Sequence, residues 1–387
     1  MLKKFFIANM VSFHVLLTSN YNLFYKGAKD VNSGQFILTI NPGSTSTKIG
    51  VYDGKKLVFS DTISHDVSKL SEFSKISEQY DFRKNEVLNY LQENNVDLKS
   101  LSIIMGRGGL LRPLASGVYE VNEKMVEDLT TSAFEEHACN LGALIAKEIA
   151  QVVGCKAYIA DPVVVDELDD ISRITGLPEV QKTSKFHALN QKAVARRASK
   201  DLNRVYEDSN YVIAHLGGGI SIGAHQKGRV IDLNDALYGD GPFSPERAGK
   251  LSTGSVIQMC FAKDADEVSI KKRLVGNGGL VAHCGTNDAR QIEESINNGD
   301  EKTKLVYKAM AYQISKEIGA LCTVLKGKVD AILITGGIAR SEMLISWIKE
   351  YTSFLAPVHI YPGEDELQAL AEAGLGVLTK ERKVLEY

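Results

Sequence analysis

Phe36-Ile37-Leu38-Thr39-Ile40-Asn41-Pro42-Gly43-Ser44-Thr45-Ser46-Thr47-Lys48-Ile49-Gly50-Val51 reads as an apolar strand, a tight turn of glycine and hydroxyl residues, and a second β-rich run. Tyr211-Val212-Ile213-Ala214-His215-Leu216-Gly217-Gly218-Gly219-Ile220-Ser221-Ile222-Gly223-Ala224 repeats that order. Both then reach a second turn, Asp53-Gly54-Lys55 in one and Gln226-Lys227-Gly228-Arg229 in the other. Glycine lets the backbone turn sharply and present bare N–H groups to an anion. Two such hairpins about 175 residues apart predict a duplicated unit that grips one phosphorylated ligand from two sides, with Lys48 closing the first turn.

A chain of 387 residues favours two domains. With 44% apolar and 24% charged residues, either half can bury a core. A net charge of −3 exerts no general pull on nucleic acid, and no nucleic-acid partner is expected. The five cysteines form no CxxC pair, which predicts reduced, mostly buried thiols in a reducing compartment. Residues 5–25 carry no charged side chain and follow Lys3-Lys4, as a signal peptide would begin. Asn9, Ser12, His14, Asn20 and Asn22 interrupt the run, and it lacks a small-x-small cleavage site. We therefore expect residues 1–35 to be an extension ahead of a core that starts at Phe36. No other stretch is long and apolar enough to cross a membrane, and a cytoplasmic protein is expected.

Strands and helices alternate along the rest of the chain. Leu101 to Met105 reads as a buried strand before Gly106-Arg107-Gly108-Gly109, and Lys156 to Ala160 as another before Asp161-Pro162. Asn122 to Val153 reads as helical, capped at Asn122 and broken near Gly154, with His137 inside it. Phe186 to Lys200 and Glu301 to Lys326 read as amphipathic helices, the second with apolar residues at 306, 310, 314, 318, 321 and 325. Ala331 to Thr335 reads as a strand entering Gly336-Gly337, a helix starts near Ser341, and Glu364 to Leu378 forms the last helix. The pattern is α/β, with a mixed sheet in each half. Asp161-Pro162 is the candidate hinge, because a residue before proline avoids the right-handed helical region.

Three settings in this pattern carry chemistry. Thr335-Gly336-Gly337-Ile338-Ala339 runs from a strand into a helix start, a platform for a nucleotide or other anion, or a plain turn. Arg107 stands between glycines, and Arg247 in Gly241-Pro242-Phe243-Ser244-Pro245-Glu246-Arg247. A guanidinium on such a fixed backbone can clamp a carboxylate or phosphate; a solvated loop arginine is the plainer reading. His187 opens a helix, and Asp161 at a strand end is either an acid for Mg²⁺-linked work or a turn former.

Six segments, in order, resemble the butyrate kinases of the acetokinase family, within the actin-like ATPase superfamily. They are Asn41 to Lys48, Arg107 to Leu111, Asp161 to Glu167, Phe186 to Lys192, His215 to Ser221 and Gly239 to Arg247. The resemblance runs from about Phe36 to about Leu378 and leaves residues 1–35 without a counterpart. It implies two actin-like (ribonuclease H-like) domains around a cleft, one of residues 36–160 plus about 368–387, the other of residues 161–367. It implies ATP-dependent phosphorylation of butyrate, with Mg²⁺ as cofactor and a homo-oligomer of at least two copies. The rivals are a branched-chain acid or propionate/acetate kinase, a sugar kinase using Asp161 as base, and a non-enzymatic actin-like ATPase.

The resemblance also assigns roles. Asn41 and Glu366 hold Mg²⁺, with Asp365 the adjacent alternative. Lys48, His215, Gly217, Gly218 and Gly219 contact nucleotide phosphates. Asp288 and Arg290 lie on the adenosine side, with Gly337, Ile338 and Ala339 beneath. Arg107 binds the acid, Asp161 is the catalytic aspartate, and His187 and Arg247 stabilise the transferring phosphoryl. Acetate kinases carry a bulkier Val-Val-His-Gly-Gly run after the substrate arginine. Gly108 and Gly109 are therefore expected to leave room for an acyl tail in a pocket bordered by Leu110 or Phe186.

Overall fold

The computed structural model describes residues 34–237 and 240–387. The expected N-terminal extension up to residue 33, and Gly239 of the sixth segment, lie outside the described residues. Gly34–Tyr387 form one contiguous unit.

Twelve strands are described: β1 Phe36–Pro42, β2 Ser46–Asp53, β3 Lys56–Ser64, β4 Leu101–Gly106, β5 Val118–Glu120, β6 Lys156–Ala160, β7 Asn210–Leu216, β8 Ile220–Gln226, β9 Arg229–Leu233, β10 Ala331–Gly336, β11 Val358–Pro362 and β12 Val384–Leu385. They form a seven-stranded sheet in the order β12-β5-β6-β4-β1-β2-β3 and a five-stranded sheet in the order β11-β10-β7-β8-β9. In each, the first three strands form an antiparallel meander and two more add in parallel beside the first. The duplication read from the two glycine-rich hairpins is thus a duplication of sheet topology. The second turn of the later hairpin has Lys227 at φ 48° and Gly228 at φ 80°, the doubly positive geometry that matches strand twist.

Side chains alternate between the faces of each sheet, as extended backbone requires. In the first sheet Leu38 and Ile40 pack with the helix Asn140–Val153, while Ile37, Ile103 and Met105 pack with the helix Glu366–Leu378. In the second, Val212 and Ala214 pack with the helices Glu301–Val324 and Glu342–Thr352. Tyr211 and Ile213 pack with the helix Ala188–Asp201 on the opposite face. The chain reaches Ala188–Asp201 after β6 of the first sheet, and Glu366–Leu378 after β11 of the second. Each half therefore sends its last helix onto the other half's sheet. Leu189 joins the two helices in one buried cluster.

One predicted helix is two. Residues 122–153 form Glu123–Thr130, capped by the Asn122 side chain, and Asn140–Val153. Between them Ser132 takes φ 51°, and Asn140 Nδ2 donates to the Glu135 carbonyl at 2.9 Å. His137 accordingly lies in a loop. The final helix starts at Glu366, not Glu364, because Asp365 holds φ 40°. The cysteines are unpaired, but Cys260 is exposed and only Cys139 and Cys322 are fully buried.

Candidate active site

The first glycine-rich turn, residues 43–45, is held from behind by a residue that the sequence does not single out. Arg83 is fully buried and donates to the carbonyls of Gly43 at 2.7 Å, Ser44 at 2.6 Å and Ser46 at 3.3 Å. These bonds fix three carbonyls of the turn, and the Gly43 N–H closes it onto the Ser46 carbonyl at 2.7 Å. Burial pulls the Arg83 guanidinium down to about 10, still charged at neutral pH. Arg83 lies in an ordinary amphipathic helix, Tyr80–Glu93, and no local pattern distinguishes it.

Beyond that turn, Asn41 and Lys48 face each other across β1 and β2. Asn41 Nδ2 donates to Glu366 Oε2 at 2.6 Å. Arg107, 5% exposed, brings Nη1 to 3.1 Å from Glu366 Oε1 without completing a hydrogen bond. Lys48 Nζ lies 3.6 Å from Glu364 Oε2, and Asn190 Nδ2 donates to the Glu364 carbonyl at 2.7 Å. Residues 364–366 thus tie the first turn to the helix Ala188–Asp201. Asp365, the adjacent alternative for the metal-linked acid, turns away to Arg197 at 3.0 Å.

The second glycine-rich turn, residues 217–219, carries Arg247. A β-carbon built on Gly219 would lie 2.1 Å from Arg247 Nη1, so the guanidinium lies directly against that glycine. The Arg247 loop is fixed by Ser244, whose hydroxyl donates to the Gly218 carbonyl at 2.6 Å and accepts from Arg247 N at 3.1 Å. Glu246 accepts from Asn287 Nδ2 at 2.7 Å, which links this loop to the neighbouring Asp288 and Arg290. Asp288 caps the helix Ala289–Asn297 and pairs with the exposed Arg290 at 2.8 Å.

His187 stacks on His215, centroids 3.8 Å apart and planes 10° from parallel. Burial depresses His187 well below the usual histidine value; the neighbouring His215, Arg247 and Arg107 add to the effect. Burial brings His215 down to about 4, opposed by Glu366 and reinforced by Arg107 and Arg247. His137 is depressed by burial and then by the same two arginines. These couplings place Arg107, Arg247, His187, His215 and Glu366 in one neighbourhood, with His137 beside it.

Other candidates stand apart. Asp161, 1% exposed at φ 39°, accepts from Ser116 Oγ at 2.6 Å and Gly117 N at 2.9 Å, and pairs with Arg196 at 3.4 Å. Burial alone would raise its carboxyl, but Arg196, Lys192, the Ser116 hydroxyl and Arg382 bring it below the ordinary value. None of these partners belongs to the Arg107–His187–Arg247 group. A β-carbon on Gly108 would meet Pro162 Cβ at 2.7 Å, and one on Gly109 would meet Asn140 Oδ1 at 2.4 Å and Cα at 2.6 Å. The expectation that these glycines open an acyl pocket is corrected: both serve close backbone packing. Phe186 is 3% exposed in an apolar cluster with Val165, Leu168, Val230 and Leu233. Gly336, at φ 94°, lies against the Leu216 backbone, while Gly337 faces open space above buried Ile338 and Ala339.

Among the described residues no group of three or more His, Cys, Asp or Glu side chains is gathered for a metal, and no helix is long and apolar enough to cross a membrane. Asn41 and Glu366 offer hard oxygen donors next to the first glycine-rich turn, which fits Mg²⁺ held largely by nucleotide phosphates.

Residues 180–352 match the family model described as the acetokinase family. The acetate kinase of Porphyromonas gingivalis superposes with a TM-score of 0.71 at 18% identity, covering 89% of this chain and 100% of that one. A propionate kinase from Francisella tularensis subsp. tularensis gives 0.69 at 18% identity, covering 88% and 98%. The acetate kinase of Entamoeba histolytica gives 0.66 at 17%, covering 87% and 98%. At these identities the likeness is one of fold, and the two-sheet architecture is the actin-like one.

Proposed function

We propose that this chain is an ATP-dependent kinase of short-chain carboxylic acids, with butyrate as the acid. The observation that carries the reading is the gathering of Arg107, Arg247, His187 and His215 in one neighbourhood, with Arg107 paired to Glu366 and Arg247 seated on the second glycine-rich turn. An acid carboxylate is already ionised and nucleophilic at neutral pH, so no strong general base is needed. The obstacle is the approach of one anion to another. Arg107 would hold the carboxylate, while Arg247 and His187 would donate hydrogen bonds to the oxygens of the transferring phosphoryl. One such donor is commonly worth ~10²–10³ in rate. Mg²⁺ held near Asn41 and Glu366 would neutralise charge on the β- and γ-phosphates.

In the transfer, a carboxylate oxygen forms a bond to the γ-phosphorus as the bond to the β,γ-bridging oxygen breaks. ADP leaves with that electron pair, and the product is butanoyl phosphate. Every step reverses in the same site. Asp161 enters this scheme as the anchor of Arg196 and of the Ser116–Gly117 turn.

Butyrate is chosen on the six motif segments. Acetate or propionate is the second reading, favoured by the acetokinase match and the acetate and propionate kinases of like fold. Hydroxylamine trapping of acyl phosphate with ATP and acetate, propionate, butyrate, isobutyrate or glucose tests all of these. The highest kcat/KM on butyrate supports the proposal. A preference for acetate or propionate replaces the substrate, and ATP turnover without any acyl hydroxamate removes the carboxylate-kinase reading.

A further inference from the structure

Behind His187 runs a line of buried polar groups that the transfer scheme leaves unused. His187 Nδ1 lies 2.8 Å from Ser221 Oγ. Gln191 Nε2 lies 2.9 Å from that same oxygen and 3.0 Å from the Ser221 main-chain carbonyl. Gln191 Oε1 lies 2.9 Å from His225 Nε2, and His225 Nδ1 lies 2.7 Å from the Tyr206 hydroxyl. Ser221, Gln191 and His225 are 0% exposed, so bulk water offers them no substitute partner.

One fixed acceptor determines every proton in this line. A main-chain carbonyl only accepts, so the Gln191 atom facing it is the amide nitrogen. That nitrogen also donates to Ser221 Oγ, as does the main-chain N–H of His187 at 3.3 Å. The single hydroxyl proton of Ser221 is left for His187 Nδ1. In the other direction, Gln191 Oε1 only accepts, so His225 donates from Nε2 and its Nδ1 accepts from Tyr206.

We propose that Ser221, oriented by Gln191, His225 and Tyr206, holds His187 as a neutral imidazole with its proton on Nε2. These four are positioning residues: His187 meets the transferring phosphoryl as a neutral N–H donor. The inference rests on the phosphoryl-transfer reading of the site for its purpose, but its geometry stands apart from that reading. Burial of His187 among arginines acts in the same direction by opposing a charged ring.

The stacked partner has the opposite tautomer. Asn190 Nδ2 donates to the Glu364 carbonyl, so Asn190 Oδ1 faces His215 Nδ1 at 2.8 Å and must accept. His215 therefore carries its proton on Nδ1. Two parallel imidazoles with complementary tautomers occupy one site, and each is a control for the other.

Long-range proton–nitrogen correlation spectra of the full ¹⁵N-labelled chain, assigned with His187→Gln and His215→Gln, report both tautomers directly. The expected result is Nε2–H for His187 and Nδ1–H for His215. Nδ1–H or a doubly protonated ring at His187 overturns the proposal. Ser221→Ala is expected to give His187 a mixed tautomer and to lower kcat roughly ten- to a hundredfold, as losing an imidazole's orienting partner does. KM for ATP should hold, and Ser221→Thr should restore most of kcat. Should Ser221→Ala fail to fold, Gln191→Met, which removes the amide that orients Ser221, takes its place. An unchanged tautomer and kcat in the folded variant overturn the proposal. Absence of acyl hydroxamate from the wild-type chain would instead defeat the kinase reading and leave the tautomer result intact.

Discussion

The guanidinium of Arg247 rests on the α-carbon of Gly219, where a β-carbon would lie 2.1 Å from Nη1 and 2.4 Å from Cζ. The obstructing atoms are the far end of a flexible side chain, so Gly219→Ala should displace Arg247 rather than unfold the protein. We expect a stability change within about 0.5–1 kcal/mol. The fall in kcat should be ~10²–10³, the usual effect of losing a transition-state donor. Thermal melts and initial rates measure both, and the double variant with Arg247→Ala should be no slower than Arg247→Ala alone. Additive losses would show that Gly219 acts independently of Arg247.

Gly109→Val places branched carbons against Asn140 and Leu129. Asn140 Oδ1 accepts from Leu110 N at 2.8 Å, so the clash reaches the backbone that follows Arg107. The expected cost is about 1–3 kcal/mol of stability, with equal losses of kcat/KM on acetate and butyrate. A selective loss on butyrate would return Gly109 to the acyl pocket.

Asp161→Asn keeps acceptors for Ser116 and Gly117 but removes the charge facing Arg196. Because the Arg196 side chain is 31% exposed, we expect about 1–3 kcal/mol, below the ~3–5 kcal/mol of a fully buried broken pair. The folded variant should keep kcat within about tenfold of wild type, since a structural partner touches no reacting atom. A collapse of kcat at an unchanged melting temperature would make Asp161 catalytic.

Five of the eight histidines are depressed chiefly by burial: His65 and His215 to about 4, His137 below the ordinary value, and His187 and His225 well below it. The unfolded chain takes up their protons near pH 6.5 while the folded chain does not. Stability is therefore unaffected by these groups above that pH and falls as pH drops from about 6.5 towards 4, by about 1.4 kcal/mol per pH unit for each. Melting temperatures at pH 7.5, 6.5 and 5.5 should show a plateau and then a steep decline. A flat response to pH 5.5 would show the rings to be protonated in the fold.

The hairpins at residues 36–53 and 211–226 were legible because alternation, glycine and turn chemistry are all local. Lys156–Ala160 and the start of Glu301–Val324 follow from the same kind of signal, with the Asp300 side chain accepting from Thr303 N at the helix start. Arg107 and Arg247 stand out through their glycine and proline neighbours. The helix break at residues 131–139 was not legible, since it depends on Asn140 reaching back to Glu135. Arg83 and the partners of Asp161 were hidden for a different reason. Arg83 acts on carbonyls 37 to 40 residues away and Ser116 on a carboxylate 45 away, and no window of sequence contains such pairs. The Gln191–His225–Tyr206 line likewise exists only once the helix Ala188–Asp201, the strand β8 and the 3₁₀ turn Tyr206–Asp208 are packed together.

The exchange of last helices has a consequence for synthesis on the ribosome. The first sheet's apolar face, with Ile37, Ile103 and Met105, waits for Ala369, Leu370 and Ala373 to cover it. Its β5 edge waits for β12, and Asp128 waits for the hydroxyl of Tyr387, 259 residues further along. At about 5–20 residues per second that interval lasts roughly 10–50 s, during which the nascent first half carries an uncovered greasy face. A translating polysome would display many such faces at once. The chain thus places its greatest demand on chaperones before translation of residues 366–387 is complete, and a message cut short there yields a protein missing both a sheet cover and Glu366.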